Sequence, residues 1–200
     1  MDRAALLDDL SRYAAADARE EDSVARIRTF VAGTADPFSR ATPEGHVTGS
    51  AVDSRPDGSA FLLVLHRRLS RWLQPGGHTE AEDASVFDAA LREAREETGI
   101  AADAFQAPLG REILDVDVHP IPARGAEPAH LHFDVRYLVT TERPFDLEAS
   151  EDPSRPMRWA SLEEAVSLGI DASLERALRK AQKRLSGSAA GAPTRSGAGR

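Results

Sequence analysis

Three glutamates in one short stretch carry the strongest chemical signal in this sequence. The stretch reads Arg92-Glu93-Ala94-Arg95-Glu96-Glu97-Thr98-Gly99-Ile100. In a helix each residue advances about 100° around the axis. Glu93, Glu96 and Glu97 are then related by i, i+3 and i+4 and share one face. Phe87, Ala90, Leu91 and Ala94 occupy another face, centred roughly 130° away by the same geometry. One side of such a helix packs while the other presents three carboxylates. Like charges at these spacings repel, and the cost grows with burial. A hard cation with oxygen ligands resolves the repulsion, and near phosphates Mg²⁺ is the usual one. The plain alternative is a solvated acidic face braced by Arg92 against Glu96. The preceding Pro75-Gly76-Gly77 weighs against that alternative, because glycines let backbone carbonyls approach a bound ion closely.

The elements that must hold these groups are legible in part. Ser85 caps and Gly99 stops a helix over 85–98. Upstream, Phe61–Leu65 reads as a buried strand, joined through an Asp57-Gly58 turn to an extended segment that begins near His46. Residues 72–78 form a short strand running into a glycine loop. Segments 105–118 and 130–140 read as strands separated by a proline-bearing loop, and Ser161–Leu168 and Ala172–Leu185 as helices. Leu6, Leu7, Leu10 and Tyr13, then Val24, Ile27, Phe30 and Val31, mark two amphipathic helices before Pro37 and Pro43. The expected organisation is an N-terminal helical extension over 1–45, a domain over 46–185 and a disordered tail over 186–200, a stretch of Gly, Ser, Ala, Pro, Thr and Arg only.

Composition narrows the function. With 33 acidic and 25 basic residues the formal net charge is −8. Such a surface repels a nucleic-acid backbone, so no nucleic-acid partner is expected. A small phosphorylated ligand remains compatible, because a bound cation reverses the local field. The chain has no cysteine, which removes disulfides and thiolate chemistry. The longest apolar run, Ala60–Leu65, is too short to span a bilayer, and the N-terminus lacks a secretory h-region. A cytoplasmic protein without a membrane partner is expected.

Gly77 through Ile100 resembles the Nudix box, G-x5-E-x7-R-E-U-x-E-E-x-G-U, where U is aliphatic. Arg92 to Ile100 matches the second half, with Ala94 as a small member of an aliphatic position. In the first half Gly77 lies fifteen residues before Arg92, where the pattern has fourteen. Glu82, Asp83 or Ala84 fills the glutamate position, depending on where the extra residue falls. Asp83 is the residue assigned here, and in the family this acid supports the loop. The resemblance implies an α/β (α+β) fold, an α/β/α sandwich with a mixed β-sheet, to which the N-terminal helical extension is added. It implies that Glu93, Glu96 and Glu97 hold Mg²⁺, or Mn²⁺ as a substitute, with help from the Gly76 carbonyl, while Arg92 orients the glutamates. Water activated by the metal would attack phosphorus. Glu93 is the first choice for general base and Glu97 the second.

The implied activity is hydrolysis of a phosphoanhydride in a nucleoside diphosphate linked to another moiety, or in a nucleoside triphosphate. A non-catalytic nucleotide sensor on the same fold is the rival, although binding alone does not require three converging carboxylates. Isomerase chemistry of the isopentenyl-diphosphate kind uses a cysteine that this chain lacks. Two substrate signatures of the family are missing: position 115 is Asp rather than Pro, and no tyrosine precedes Tyr137 in the zone beyond the box. Arg67, Arg68, His78 and His132 are candidate substrate contacts. Arg67 and Arg68 follow the core strand and can neutralise phosphate, or stand as surface arginines. His78 follows the glycines. His130 and His132 alternate on one strand and face the same side, where they can touch phosphate or metal or simply be solvated. His46 reads as structural and Trp72 as packing. Glu148 and Glu151 lie where family members often supply a further metal ligand. The N-terminal helices are free to cap a cleft or to form a homodimer contact.

Overall fold

The structure, a computed structural model, describes residues 1–66, 69–125, 128–141 and 156–189. The N-terminal periodicity resolves into α1 (Arg3–Arg12) and α2 (Ala18–Gly33). Asp2 accepts from the Ala4 and Ala5 N–H groups, and Asp17 from that of Glu20, so each helix start is capped. The expected hairpin is β1 (Gly45–Ser54) and β2 (Phe61–His66), closed by Arg55 N donating to Ala60 O.

Downstream lie β3 (Arg71–Leu73) and β4 (Gly76–His78), then α3 (Val86–Thr98). The glycines expected in a loop are therefore themselves a strand. β4 runs antiparallel to β1, with Ser50↔Gly76, Gly49↔Gly77 and Thr48↔His78 in register. The segment expected as one strand over 105–118 divides into β5 (Phe105–Gln106) and β6 (Ile113–Ile121). Pro108 and the turn closed by Gly110 N donating to Ala107 O interrupt it. β7 (His130–Thr141), β8 (Met157–Ala160), α4 (Leu162–Ser167) and α5 (Ala172–Ala189) complete the described chain. α5 runs to Ala189, past the helix end expected at Leu185. An extending helix adds one hydrogen bond per residue fixed, and the Ser186 hydroxyl also donates to Gln182 O at 2.8 Å. Residues 190–200 lie outside the described residues.

The sheet is mixed. Its strand order is β3-β2-β1-β7-β5, with β4 on β1, β6 on β7 and β8 on β2. β1 and β7 are parallel from Gly45↔Leu131 to Ser54↔Thr140, and the other pairs are antiparallel. Helices cover both faces. On one side Leu6, Leu10, Ile27, Val31, Val86, Phe87 and Ala90 pack with Val47, Val135 and Tyr137. On the other, Ala165, Leu174, Leu178 and Leu185 pack with Val52, Phe61, Leu63 and Leu138. The two N-terminal helices thus bury their apolar stripes in the same core as α3 and the central strands. Phe30 stacks on Phe133 with ring centroids 3.9 Å apart. No described helix is long and apolar enough to cross a membrane.

Candidate active site

α3 forms where the local signals place it. The Ser85 hydroxyl accepts from Asp88 N, and Gly99 adopts a left-handed φ of 70° while its N–H closes on Arg95 O. The helix approaches β1 closely because Gly49 has no side chain. A Cβ there would lie 2.6 Å from Val86 O and 3.0 Å from Ala90 N, both backbone atoms. This close packing presents the glutamate face of α3 to β4.

Glu93 and Glu97 reach the glycine strand. Glu97 Oε2 accepts from the Gly76 N–H at 3.1 Å. The Glu93 carboxylate lies against Gly77 so closely that a Cβ at that position would be 2.5 Å from its Cδ and Oε2. Only 17% of the Glu93 side chain is exposed, against 57% for Glu96. Burial pushes the Glu93 carboxyl above the ordinary glutamate range. Arg92 pulls it back, while Glu96 and Glu80 add to the rise.

Arg92 ties the site to the loop before the helix. Its Nε and Nη2 donate to the two oxygens of Asp83 at 3.1 and 3.0 Å, and Nη2 also donates to His78 O at 2.8 Å. Nη1 turns to Glu93 Oε1 at 3.1 Å and to Glu96 at 3.4 Å. Asp83, 6% exposed, also accepts from Glu80 N at 2.8 Å. The acid assigned to the displaced box position therefore anchors the loop, clamped to the arginine that also pairs with Glu93 and Glu96. The paired carboxylates hold the guanidinium even more firmly protonated than usual.

Strand pairing builds a second feature. β1, β7 and β6 place His46, His132 and His119 in one register row on one sheet face. His130 and His78 join them. His46 lies 4.8 to 5.1 Å, centroid to centroid, from His78, His130 and His132, and His132 lies 5.5 Å from His119. Burial lowers the His132 imidazole to about 2 and the His78 imidazole to about 4, with nearby basic groups adding to both shifts. His130 and His132 are thus gathered with His46 rather than standing as two solvated strand residues. His46, read as structural, is the centre of the cluster. Its register opposite His132 depends on a long-range parallel pairing that no local pattern shows.

The next rows on this face are polar. The Thr48 and Ser50 hydroxyls donate to Asp134 Oδ1 at 3.0 and 2.8 Å, and Gln74 Nε2 reaches Oδ2 at 3.3 Å. Arg136, buried, donates to Asp134 and Asp115. The alternation of His132, Asp134 and Arg136 was the available sequence signal for this row. Trp72 packs against the core beside α5. Arg67, Arg68, Glu148 and Glu151 lie outside the described residues.

The NUDIX domain family matches residues 46–181. No curated protein matches the sequence. Among solved structures, the Ap4A hydrolase of C. elegans is similar at 22% identity and a TM-score of 0.53, over 70% of this chain and 97% of that one. At that identity the likeness shows the fold. A NUDIX-family hydrolase from Clostridium perfringens has 24% identity and a TM-score of 0.43, over 70% of this chain and 95% of that one. Shewanella oneidensis NrtR has 21% identity and a TM-score of 0.46, over 72% of this chain and 64% of that one. The family match covers well over half of the sequence, and the mixed sheet between helices is the fold it implies. The chain belongs to the NUDIX domain family.

Proposed function

We propose that this protein is a Nudix hydrolase dependent on a divalent cation. Its substrate would be a nucleoside diphosphate linked to a second moiety, or a nucleoside triphosphate, cleaved at a phosphoanhydride bond. The observation that carries this reading is the convergence of Glu93 and Glu97 on β4, with Glu96 beside them. The donor set fits a hard cation: all the side-chain ligands are carboxylates, and Gly77 leaves the space that a Cβ would take from Glu93. Glu93, Glu96, Glu97 and the Gly76 carbonyl would hold Mg²⁺ or Mn²⁺. Such an ion would polarise a phosphoryl oxygen and lower the pKa of an attacking water.

The remaining steps belong to the chain. Glu93 is the first choice to accept the proton of that water, and Glu97 the second. Arg92 keeps Glu93 and Glu96 oriented while Asp83 fixes Arg92 to the loop. His78 and His132 are candidate contacts for substrate phosphate, as are Arg67 and Arg68.

Two measurements test this. Calorimetry with Mg²⁺ should show binding and a raised melting temperature that a Glu93/Glu96/Glu97→Gln triple variant lacks. A phosphate-release screen with Mg²⁺ and Mn²⁺ should cover nucleotide sugars, dinucleoside polyphosphates, nucleoside triphosphates and diphosphate esters. Turnover of at least one class, absent in the triple variant, is the expected result. Equal Mg²⁺ binding by both proteins would sink the metal site. Nucleotide binding without turnover of any class would favour the sensor.

A further inference from the structure

The carboxylates of α3 are hard oxygen donors, whereas the histidine cluster offers donors of another kind. We propose that His46, His130 and His132 form a second metal site, for a transition-metal dication of the zinc class. One nitrogen from each ring lies within 4.8 Å of the other two. A tetrahedral ion with Zn–N bonds of about 2.0–2.1 Å needs its ligand nitrogens roughly 3.3 Å apart, so small side-chain rotations close the site. Imidazole nitrogen selects Zn²⁺, Co²⁺, Ni²⁺ or Cu²⁺ over Mg²⁺ and Ca²⁺.

The surroundings prepare these rings as ligands. His130 Nδ1 lies 3.0 Å from Pro128 O. A carbonyl oxygen only accepts, so Nδ1 carries the proton and Nε2 presents the lone pair. A backbone carbonyl holding the far nitrogen is the usual support of a metal-bound histidine. The His132 Nε2 atom is buried and has no hydrogen-bond partner among the described residues. A buried polar nitrogen left in that state is costly, and a metal bond would satisfy it. His46 is buried on the neighbouring strand, where the parallel register holds it opposite His132. His119 is tied to Asp117 at 3.1 Å and flanks the site without joining it. His78 stands at the edge, 4.9 Å from His46 and 5.2 Å from His132 by ring centroid. Three nitrogens leave a fourth tetrahedral position for water or a ligand oxygen.

The site does not depend on the hydrolase reading, and the test keeps the two apart. The full chain, without a polyhistidine tag, is titrated with Co²⁺ in the presence of excess Mg²⁺. Visible d–d absorption of tetrahedral strength should appear, saturate at a single ion per chain, and vanish on addition of Zn²⁺. His130→Ala and His132→Ala should each weaken binding at least tenfold, with melting of the metal-free proteins checked in parallel. The Glu93/Glu96/Glu97→Gln variant should bind Co²⁺ as the wild type does. Absence of the tetrahedral band in the wild type overturns the proposal even if a histidine variant fails to fold. Loss of Co²⁺ binding in the glutamate variant also overturns it, since the ion would then sit on α3.

Discussion

Gly77 and Gly49 lack a side chain for different reasons, and the difference separates activity from stability at single residues. At Gly77 a Cβ would meet the carboxylate end of Glu93, which can swing away. At Gly49 it would meet the backbone of α3, which cannot. Gly77→Ala should therefore leave the melting temperature near wild type but lower kcat by about a hundredfold, the scale of a catalytic group misplaced by about an ångström. Gly49→Ala should cost about 1–3 kcal/mol of stability through overpacking. Denaturant unfolding and steady-state kinetics on the two variants check the contrast, and a Gly77→Ala enzyme of full activity would disprove the role given to Glu93. Glu97→Gln isolates charge from structure. A glutamine oxygen still accepts from the Gly76 N–H, so the fold should hold, while loss of a charged ligand should lower kcat by about a hundredfold or more.

Among the elements, α3 and the loop before it form one unit, because Arg92 and Asp83 are clamped by two parallel hydrogen bonds. Asp83→Ala leaves Arg92 with Glu93, Glu96 and His78 O but removes the anchor that fixes its direction. Breaking a buried pair costs about 3–5 kcal/mol, and Arg92 is partly exposed, so a loss of about 2 kcal/mol is expected. Asp83→Asn, which keeps an acceptor, should lose less, and kcat should fall with the same ranking. Chemical denaturation and kinetics on the pair provide the check, and equal values for both variants would remove the anchoring role. The unit was legible in the sequence because its signals are local: a serine cap, a glycine stop and glutamates at helical spacing. β4 was not, since Gly76–His78 becomes a strand only by pairing with β1. The histidine cluster was hidden for the same reason. Thr48 and Asp134, in the neighbouring row, are 86 residues apart in sequence, and a parallel register over that distance leaves no local trace. The split of β5 from β6 was foreshadowed by Pro108 and Gly110, whose turn outweighed the apolar pattern around it.

Across the whole molecule, the N-terminal helices are joined to the sheet and to α5 by charge as well as by apolar packing. Glu20 on α2 is fully buried, and its carboxylate receives Lys180 Nζ of α5 at 2.7 Å, the Tyr13 hydroxyl and Ala16 N. Arg176 of α5 lies 3.6 Å from Glu20 and donates to both oxygens of Asp115 on β6, and Asp17 stands 3.9 Å from the same guanidinium. Asp115 in turn meets the buried Arg136, which leads through Asp134 to the row beside the histidines. Burial alone would raise the Glu20 carboxyl, but a proton shared from the protonated form of Asp115, together with the hydrogen bonds donated by Lys180, Tyr13 and Ala16, outweighs it and brings it down from 4.5 to about 2. A group with a depressed folded pKa contributes stability that is present above its unfolded value and lost as pH falls through the folded one. Asp115 has the opposite sign: burial raises it to about 6, so its contribution is full below its unfolded value and lost as pH rises through that point. That change runs from about 3.8 to about 6, so it overlaps only the top of the Glu20 window, and its opposite sign keeps it from mimicking the Glu20 effect. Glu20→Gln should therefore cost about 3 kcal/mol at neutral pH, because Lys180 and Arg176 lose a buried partner. The gap between wild type and variant should close as pH falls between about 4.5 and 2, and any change nearer pH 6 reports Asp115, whose raised carboxyl partly reflects Glu20. Urea unfolding of both proteins across this range measures it, and a gap that persists unchanged to the acid limit would show that Glu20 holds the helices by packing rather than by charge.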